Sequence, residues 1–292
     1  KELPEYSEDE YIRLERYSRQ IHYFDDLLNT TPGLVSQNAL SNSHVAIFGA
    51  GSVGGAIAIE LVRAGVGEIT IFDYKIINKT HKQRHFYYKS NYIGLPKVYA
   101  LKDYLLKINK NCKVNSIVER LSPNSDLKKL LPQSLDLVVN TADEPYIGHT
   151  TIKLGRELWD QGISMYVAGG FDAHLMSTGE FIIPNQTPCV DCYSKFFKLA
   201  LSDWKPQYAP AVSVINKTEL PKENNPPGGA AGIGAQSLFS ASFGSINIIN
   251  YLLKNYSGLK RKSNRGEYLV NKSTMTWFDL EGANDCNVCG KQ

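Results

Sequence analysis

The chain has 292 residues, of which 42% are hydrophobic and 21% are charged, and these proportions exclude a disordered or fibrous protein. A chain of this length buries a sizeable core in one large or two modest domains. Its 32 basic and 29 acidic residues give a net charge of +3, which is too small to indicate nucleic acid or an anionic membrane as the main partner.

The N-terminal segment is acidic and polar, unlike a signal peptide, and the sequence lacks the run of about 20 apolar residues that a membrane-spanning helix needs. The protein is therefore expected to be cytoplasmic. Apolar residues at helical spacing predict a helix over residues 9–28, and a second short helix is expected at 35–40. Together, residues 1–40 are predicted to form a helical N-terminal arm.

Helices and strands alternate along the middle of the chain. This alternation predicts a doubly wound, mainly parallel sheet with helices on both faces, so the expected fold class is α/β and Rossmann-like. Residues 41–178 are predicted to form this Rossmann-like half. The predicted strands are 44–48, 68–73, 113–119, 135–140 and 164–168, and the predicted helices are 52–64, 96–108, 125–131 and 150–161.

A glycine-rich turn separates the first predicted strand from the first helix of that half. It reads Gly49-Ala-Gly51-Ser-Val-Gly54, and Asp73 follows the last glycine by nineteen residues. In such a motif the glycines allow a tight turn, the approach of phosphate and close helix packing, while the acid can bind ribose hydroxyl groups. On this motif alone, a nicotinamide-dependent dehydrogenase is the default interpretation.

The following segment, residues 74–97, argues against that default. It contains His81, Arg84 and Lys97 in a polar loop rich in aromatic residues, and hydride transfer needs no such cluster. A triphosphate does, because cations neutralise the charge that develops when pyrophosphate leaves. Asp143 follows a later buried strand at the carboxyl edge of the sheet, where it can hold Mg²⁺ or cap the next segment.

The C-terminal part, residues 179–292, has a different character. Residues 205–229 are rich in Pro and Asn and lack periodicity, which predicts a long loop of the kind found in functional covers and disordered segments. The basic residues between 254 and 265 are interleaved with Ser, Asn and Gly and are interpreted as a solvated loop. The expected regular elements are part of a hairpin at 179–184, a helix at 232–254 and a strand at 274–280.

Four of the five cysteines form two C-x-x-C pairs, Cys189 with Cys192 and Cys286 with Cys289. Two such pairs in a cytosolic protein indicate a tetrahedral zinc site, because each pair can hold one edge of the metal with two thiolates. This zinc is expected to be structural and to staple the C-terminal tail to an upstream loop. The alternative is a pair of disulfides or redox motifs. Cys112 is interpreted as a half-buried bystander rather than a nucleophile.

Taken in chain order, these motifs resemble the ubiquitin-activating-like ThiF/MoeB/HesA family of adenylyltransferases over nearly the whole sequence. The resemblance extends to Arg16-Tyr-Ser-Arg19-Gln20 and to Gly94-x-x-Lys97. It implies that the chain binds ATP and Mg²⁺ and joins a substrate carboxylate to AMP with release of pyrophosphate. The Rossmann-like half then becomes the ATP-binding half.

The resemblance also implies a role for each candidate side chain. Asp73 holds the ribose and Asp143 ligates Mg²⁺. Arg84 and Lys97 hold the phosphates and stabilise the transition state. Arg19 is the arginine that reaches into the site of a partner subunit, which implies a homodimer.

The sequence departs from the common pattern of that family in three places. Lys75 stands where the family has the second acid of an Asp-x-Asp motif, and Glu144, followed by Pro145, stands where it has an Asn. His81 replaces another Asn and is either a nucleotide contact or a structural histidine. These departures, together with a Cys-x-Val-Cys-Gly ending, resemble the peptide-tailoring branch that modifies the microcin C precursor.

The leading hypothesis is therefore activation of a carboxylate on a ribosomally made precursor peptide, followed by capture with an amine or amide. The second is adenylation of the C-terminal Gly of a ubiquitin-like sulfur-carrier protein, which the fifteen residues ahead of Arg16 favour and the altered motifs disfavour. The third is a nucleotide-binding protein without this activity, suggested by Lys75 and His81. Because the predicted loop 205–229 contains no cysteine, transfer to a thiol of the enzyme is not expected.

Overall fold

The computed structural model describes residues 7–28, 31–144, 147–200, 232–254 and 262–290. The strands within these residues are β1 (His44–Phe48), β2 (Glu68–Phe72), β3 (Lys113–Ile117), β4 (Leu137–Asn140), β5 (Met165–Val167), β6 (Leu175–Ser177), β7 (Glu180–Ile182), β8 (Lys262–Leu269) and β9 (Thr274–Glu281). Six of them form the main sheet in the order β3–β2–β1–β4–β5–β7, which is parallel except for β7. The other three form an antiparallel sheet in the order β6–β8–β9.

The α-helices within the described ranges are α1 (Glu8–Leu27), α2 (Gly33–Ser41), α3 (Ser52–Ala64), α4 (Lys97–Ile108), α5 (Leu127–Leu130), α6 (Ile147–Asp160), α7 (Val190–Ala200) and α8 (Gly234–Leu252). They cover both faces of the main sheet, because successive side chains of a strand point to opposite sides. In β1, Val45 and Ile47 pack with α3, α4 and α8, whereas Ala46 and Phe48 pack with α5, α6 and α7. None of these helices has the length and apolar character needed to cross a membrane.

This architecture confirms the expected α/β class with a doubly wound, mainly parallel sheet and a C-terminal extension that carries the cysteines. The strand β1 and the helix α3 occupy the predicted residues, because a short apolar run and a glycine turn define both locally. The predicted loop 205–229 lies outside the described residues. The division of the chain into 1–40, 41–178 and 179–292 stays a prediction.

Two interpretations of the C-terminal part are corrected. The basic residues between 254 and 265 do not form only a solvated loop, because β8 begins at Lys262 and pairs with β9 over eight residues. The expected hairpin at 179–184 also differs, since β7 pairs with β5 while β6 pairs with β8. The first error arises because Arg265, a largely buried cation, lies in a strand whose partner acid is 85 positions away in the sequence.

Arg265 and Glu180 form an ion pair between the two sheets. The Glu180 side chain is fully buried, and its Oε2 lies 3.0 Å from Nη1 of Arg265. The Tyr193 hydroxyl donates a hydrogen bond to the other carboxylate oxygen. Burial raises the pKa of Glu180, although the positive charge of Arg265 opposes that shift. The carboxylate therefore depends on the arginine for compensation of its charge.

Replacing the arginine, Arg265→Met, is expected to lower the free energy of unfolding by about 3–5 kcal/mol, because it leaves a buried charge without its partner. Urea denaturation measures this change. Arg63→Met is the control, since it removes an exposed arginine whose ion pair with Glu60 contributes about 0–1 kcal/mol. Adding Glu180→Gln to the first variant should recover part of the loss. Equal effects of Arg265→Met and Arg63→Met would contradict this account.

Candidate functional site

The carboxyl ends of β2, β1 and β4 lie side by side at one edge of the main sheet. The strand order reverses between β1 and β4, and ligands of open α/β sheets bind at such a switch point. The segments that follow these strands carry Asp73 after β2, the glycine turn after β1 and Asp143 after β4. The topology thus brings together residues as far apart in the sequence as Gly49 and Asp143.

The glycine turn leaves room for a ligand at the start of α3. Gly49 has a φ of +99°, a conformation that favours glycine. A Cβ on Gly54 would meet the Gly49 carbonyl and lie 2.5 Å from Oγ1 of Thr141, whereas a Cβ on Gly51 would have no neighbour within 4 Å. This open space faces a helix N-terminus, where backbone N–H groups and the helix dipole favour phosphate.

Backbone hydrogen bonds hold Asp73 beside this turn. Its Oδ2 accepts from the Ala50 N–H at 2.8 Å, and its Oδ1 accepts from the Lys75 N–H at 2.7 Å. Because each carboxylate oxygen can accept a second hydrogen bond, the fixed side chain remains able to bind hydroxyl groups. This geometry suits ribose recognition.

Two cations near the turn have no acidic partner among the described residues. Lys97, the first residue of α4, is 6% exposed, and the Nε atom of Arg84 is buried without a hydrogen-bond partner. Burial lowers the pKa of Lys97; Lys75 and Arg84 add to this effect, while Asp73 and Asp143 oppose it. Lys97 is buried and Arg84 is partly buried, and since a cation without an ion pair is costly to bury, these two side chains fit an anionic ligand.

His81 and His85 lie against each other beside these cations, with ring centroids 4.4 Å apart. Nδ1 of His81 accepts from the Asn78 N–H at 3.0 Å, so the proton of the neutral ring is on Nε2. Burial, with the charges of Lys97 and Arg84, lowers the pKa of His81 to about 4 and that of His85 to about 2. Both rings are therefore neutral at pH 7, and His81 can donate a hydrogen bond from Nε2.

The segments after β2 and β4 contact each other across the end of β1. The ammonium of Lys75 lies 2.5 Å from Oε1 of Glu144, and the Tyr74 hydroxyl donates to the other oxygen of that carboxylate. Burial alone would lower the pKa of Lys75, but its hydrogen bond with Glu144 and the charge of that acid raise it. Asp143, next to this contact, is exposed.

Most of the predicted site residues thus lie near the carboxyl ends of β1, β2 and β4. Arg19 is the exception, since it is exposed on α1 near Arg16 and Arg63, and the described contacts do not join it to the others. The roles of all these residues remain predictions. Electrostatic interactions connect Asp73, Lys75, His81, Arg84, Lys97 and Asp143 in what we call the site cluster.

Sequence reasoning missed two residues that shape the turn. Tyr87 is fully buried, donates a hydrogen bond to the carbonyl of Ala50, and its ring would meet a Cβ on Gly55. Thr141 donates from Oγ1 to the carbonyl oxygens of Phe48 and Gly49, at 2.9 and 3.0 Å. Tyr87 lies in a run of three aromatic residues that gave no indication of which one is buried. Thr141, two positions before Asp143, could have been found from its place directly after a buried strand.

The four paired cysteines converge although 97 positions separate the two pairs. The Sγ atoms of Cys189 and Cys286 are 3.6 Å apart, as are those of Cys192 and Cys289. All four sulfur atoms lie within 4.8 Å of one another. A tetrahedral zinc ion with four thiolate ligands sets its sulfur atoms about 3.8 Å apart, so this cluster fits one metal ion.

The backbone around the cysteines also suits thiolate ligands. The first cysteine of each pair accepts hydrogen bonds from the N–H groups two and three positions further on. Burial opposes the shift, but these bonds lower the pKa of Cys286 to about 7, whereas burial raises that of Cys192 to about 11. Binding of a metal to this set therefore releases protons. Cys112 is buried away from the cluster, and burial raises its pKa to about 12.

A family model described as the ThiF family matches residues 17–288 of the chain. The vegetative HesA protein of Trichormus variabilis is 27% identical over 183 residues, which are 61% of this chain and 63% of HesA. The adenylyltransferase and sulfurtransferase UBA4 of Candida glabrata is 27% identical over 204 residues, 68% of this chain and 44% of UBA4. The chain thus spans less than two thirds of the length of these curated relatives.

Two solved structures of MccB have a similar fold. Escherichia coli MccB with ATP superposes with a TM-score of 0.72 at 22% identity, covering 94% of this chain and 74% of that one. The microcin C7 biosynthetic enzyme MccB in complex with N-formylated MccA has a TM-score of 0.71 at 22% identity, covering 96% and 76%. At this identity the likeness shows the fold.

Proposed function

Since the chain belongs to the ThiF family, we propose that it is an ATP-dependent adenylyltransferase that converts a substrate carboxylate into an acyl-adenylate. In this reaction a carboxylate oxygen attacks the α-phosphorus of ATP, the bond to the β-phosphate bridging oxygen breaks, and pyrophosphate leaves with that electron pair. A related sequence and a similar structure support this activity, because UBA4 is named an adenylyltransferase and MccB has been crystallised with ATP.

The observation that carries the proposal is a pair of cations, the buried Lys97 and the partly buried Arg84, beside the open space at Gly51. Lys97 and Arg84 lack acidic partners among the described residues, and the open side of Gly51 faces the N-terminus of α3. A triphosphate lying along this turn would place its phosphates near both cations, with its ribose at Asp73. The cations would then neutralise the charge that accumulates as pyrophosphate departs.

Mg²⁺ is expected to bind at Asp143, whose exposed carboxylate offers the oxygen ligands that this ion prefers. When bound, the ion supplies charge neutralisation for the phosphates. Arg19 would complete the site from a second copy of the chain, in a homodimer. This arrangement agrees with the exposure of Arg19 on α1.

We infer that the activated carboxylate belongs to a ribosomally made peptide. The likeness to MccB supports this substrate, as does the sequence from Ala142 to Pro145. A second candidate is the C-terminal Gly of a ubiquitin-like carrier protein, favoured by the sequence match with UBA4. The two candidates differ in which molecule, the peptide or the carrier protein, triggers the reaction.

Pyrophosphate release tests the proposal directly. Wild-type protein with ATP and Mg²⁺ would be offered a precursor peptide encoded near its gene or a carrier protein ending in Gly-Gly. Release that depends on the peptide alone would support the first substrate, and release that depends on the carrier alone would support the second. Binding of NAD in place of ATP would overturn the adenylyltransferase assignment.

Asp143→Ala is expected to lower pyrophosphate release by a factor on the order of 10²–10³, because one charge-stabilising ligand is lost from the transition state. The fold should persist, since the Asp143 side chain is exposed. Asp126→Ala, which removes another exposed acid directly before α5, is the control and should retain full activity. Wild-type release by Asp143→Ala would rule out the metal-binding role.

A further inference from the structure

The contact between Lys75 and Glu144 is unusual for its position. It joins the segments after β2 and β4 directly beyond β1, the strand whose glycine turn would hold the phosphates. Both side chains are partly exposed, at 38% and 41%, so an ion pair of this kind contributes little to stability. A purely structural purpose therefore explains the contact poorly.

The ammonium of Lys75 belongs to the site cluster. It interacts electrostatically with Asp143, with Lys97 and with His81. Asp143 thus interacts electrostatically with two lysines, Lys75 and Lys97. A fixed positive charge is already present beside the carboxylate expected to ligate Mg²⁺.

The net charge around the nucleotide site depends on Lys75. The site cluster with Glu144 contains three cations, Lys75, Arg84 and Lys97, and three acids, so its net charge is zero. An acid in place of Lys75, as in the family pattern that the sequence resembles, would make that charge −2 and repel a triphosphate. Repulsion of this kind must be overcome by a divalent metal, whereas an ammonium can contact phosphate oxygens directly.

We propose that Lys75, held in place by Glu144, is a further nucleotide-binding residue that lets the site bind a nucleoside triphosphate with little dependence on divalent metal. The proposal rests on the adenylyltransferase function proposed above. Glu144 positions the ammonium and is displaced from it, in part, when phosphate oxygens arrive. The segments after β2 and β4 remain joined through the hydrogen bond between Tyr74 and Glu144.

Equilibrium binding of α,β-methylene-ATP tests this assignment without turnover. Affinities would be measured by calorimetry in Mg²⁺ and, separately, in EDTA. Lys75→Met should weaken binding in EDTA by about tenfold, the effect of one close charge in a partly exposed site. Its effect in Mg²⁺ should be smaller, since the metal already neutralises the phosphates. Lys75→Asp should widen the difference between the two conditions further.

Two variants serve as controls. Lys102→Met removes a cation from a different part of α4 and should change neither affinity. Glu144→Gln removes the acid but keeps the ammonium, so binding in EDTA should be retained or strengthened. If the contact only holds the two segments in position, Glu144→Gln and Lys75→Met would instead weaken binding alike and equally in both conditions, and that result would overturn the proposal.

The failure of this inference can be distinguished from failure of the function itself. Wild-type protein that binds the analogue in neither condition would contradict the adenylyltransferase proposal. Wild-type binding that Lys75→Met leaves unchanged in EDTA would contradict only the role of Lys75. Preserved melting temperatures of the variants show that each measurement reports on a folded site.

Discussion

The Lys97→Met variant is expected to lose ATP-dependent adenylation by a factor on the order of 10²–10³ while its melting temperature stays the same or rises. The two halves of this result have one cause. Lys97 is buried and forms no ion pair with an acid within the described residues, and burial lowers its pKa although the charges of Asp73 and Asp143 oppose that shift. The folded protein therefore carries an ammonium that stabilises a phosphate ligand rather than the fold.

Methionine keeps much of the volume and length of lysine and removes the charge, so it separates packing from electrostatics. Pyrophosphate release in the presence of the carboxylate substrate and thermal unfolding would be measured on the same preparations, with Lys102→Met as the matched control on α4. A large stability loss in Lys97→Met would mean that the ammonium has a structural partner. Full activity with normal stability would remove Lys97 from the proposed site.

The opposite expectation holds for Arg265, which lies in a buried ion pair with Glu180. Removing this paired cation should cost stability, whereas removing the unpaired cation Lys97 should cost activity. The contrast follows from the environment of each charge. It therefore tests whether the presence of an acidic partner distinguishes structural cations from ligand-binding ones in this protein.

The elements that the sequence predicted well are those determined by neighbouring residues. The strand β1 is a run of five buried residues, and the turn beginning at Gly49 sets the start of α3. The helix α7 and the strand β8 could not be predicted in this way. The start of α7 lies inside a metal-binding motif that conceals helical spacing, and β8 places Arg265 against an acid that only the tertiary fold brings near.

The same distinction applies to the candidate site. Asp73 and Lys97 could be proposed because each lies at a fixed place in a local motif. The contact of Tyr74 with Glu144 joins residues 70 positions apart, and the sequence around neither residue indicates this contact. Lys75 looked like a departure from the common pattern when considered alone. Its contact with Glu144 makes the two departures complementary, since a cation and an acid were introduced at positions that meet in the fold.

The cysteine cluster is expected to affect the stability of the protein rather than its adenylation activity. It brings the residues after β9 next to the start of α7, 97 positions upstream, and α7 packs against the main sheet on the face opposite α3 and α8. The residues of the site cluster lie on segments that follow β1, β2 and β4 or begin α4. Within the described residues, the apolar side chains that pack against the cysteines include Trp159 and Ala283, which lie outside these segments.

Removal of zinc is therefore expected to lower the melting temperature by more than about 10 °C, since structural zinc sites contribute several kcal/mol or more to folding and each kcal/mol is worth a few degrees in a chain of this size. Cys286→Ser should have the same direction of effect and should lower the zinc content below one ion per chain. Below the melting transition, the affinity for ATP should change little. Metal analysis, thermal unfolding and nucleotide binding on the same samples measure all three quantities.

Cys112→Ser is the matched control, because Cys112 is buried outside the cluster. It should leave the zinc content unchanged and shift the melting temperature by only the few degrees expected for one buried substitution. Metal-free protein as stable as the zinc-bound form, with the four cysteines found as disulfides by mass spectrometry, would establish the alternative reading of the two pairs. Convergence of all four sulfur atoms on one point favours the metal, since two disulfides would require only that each sulfur approach one partner.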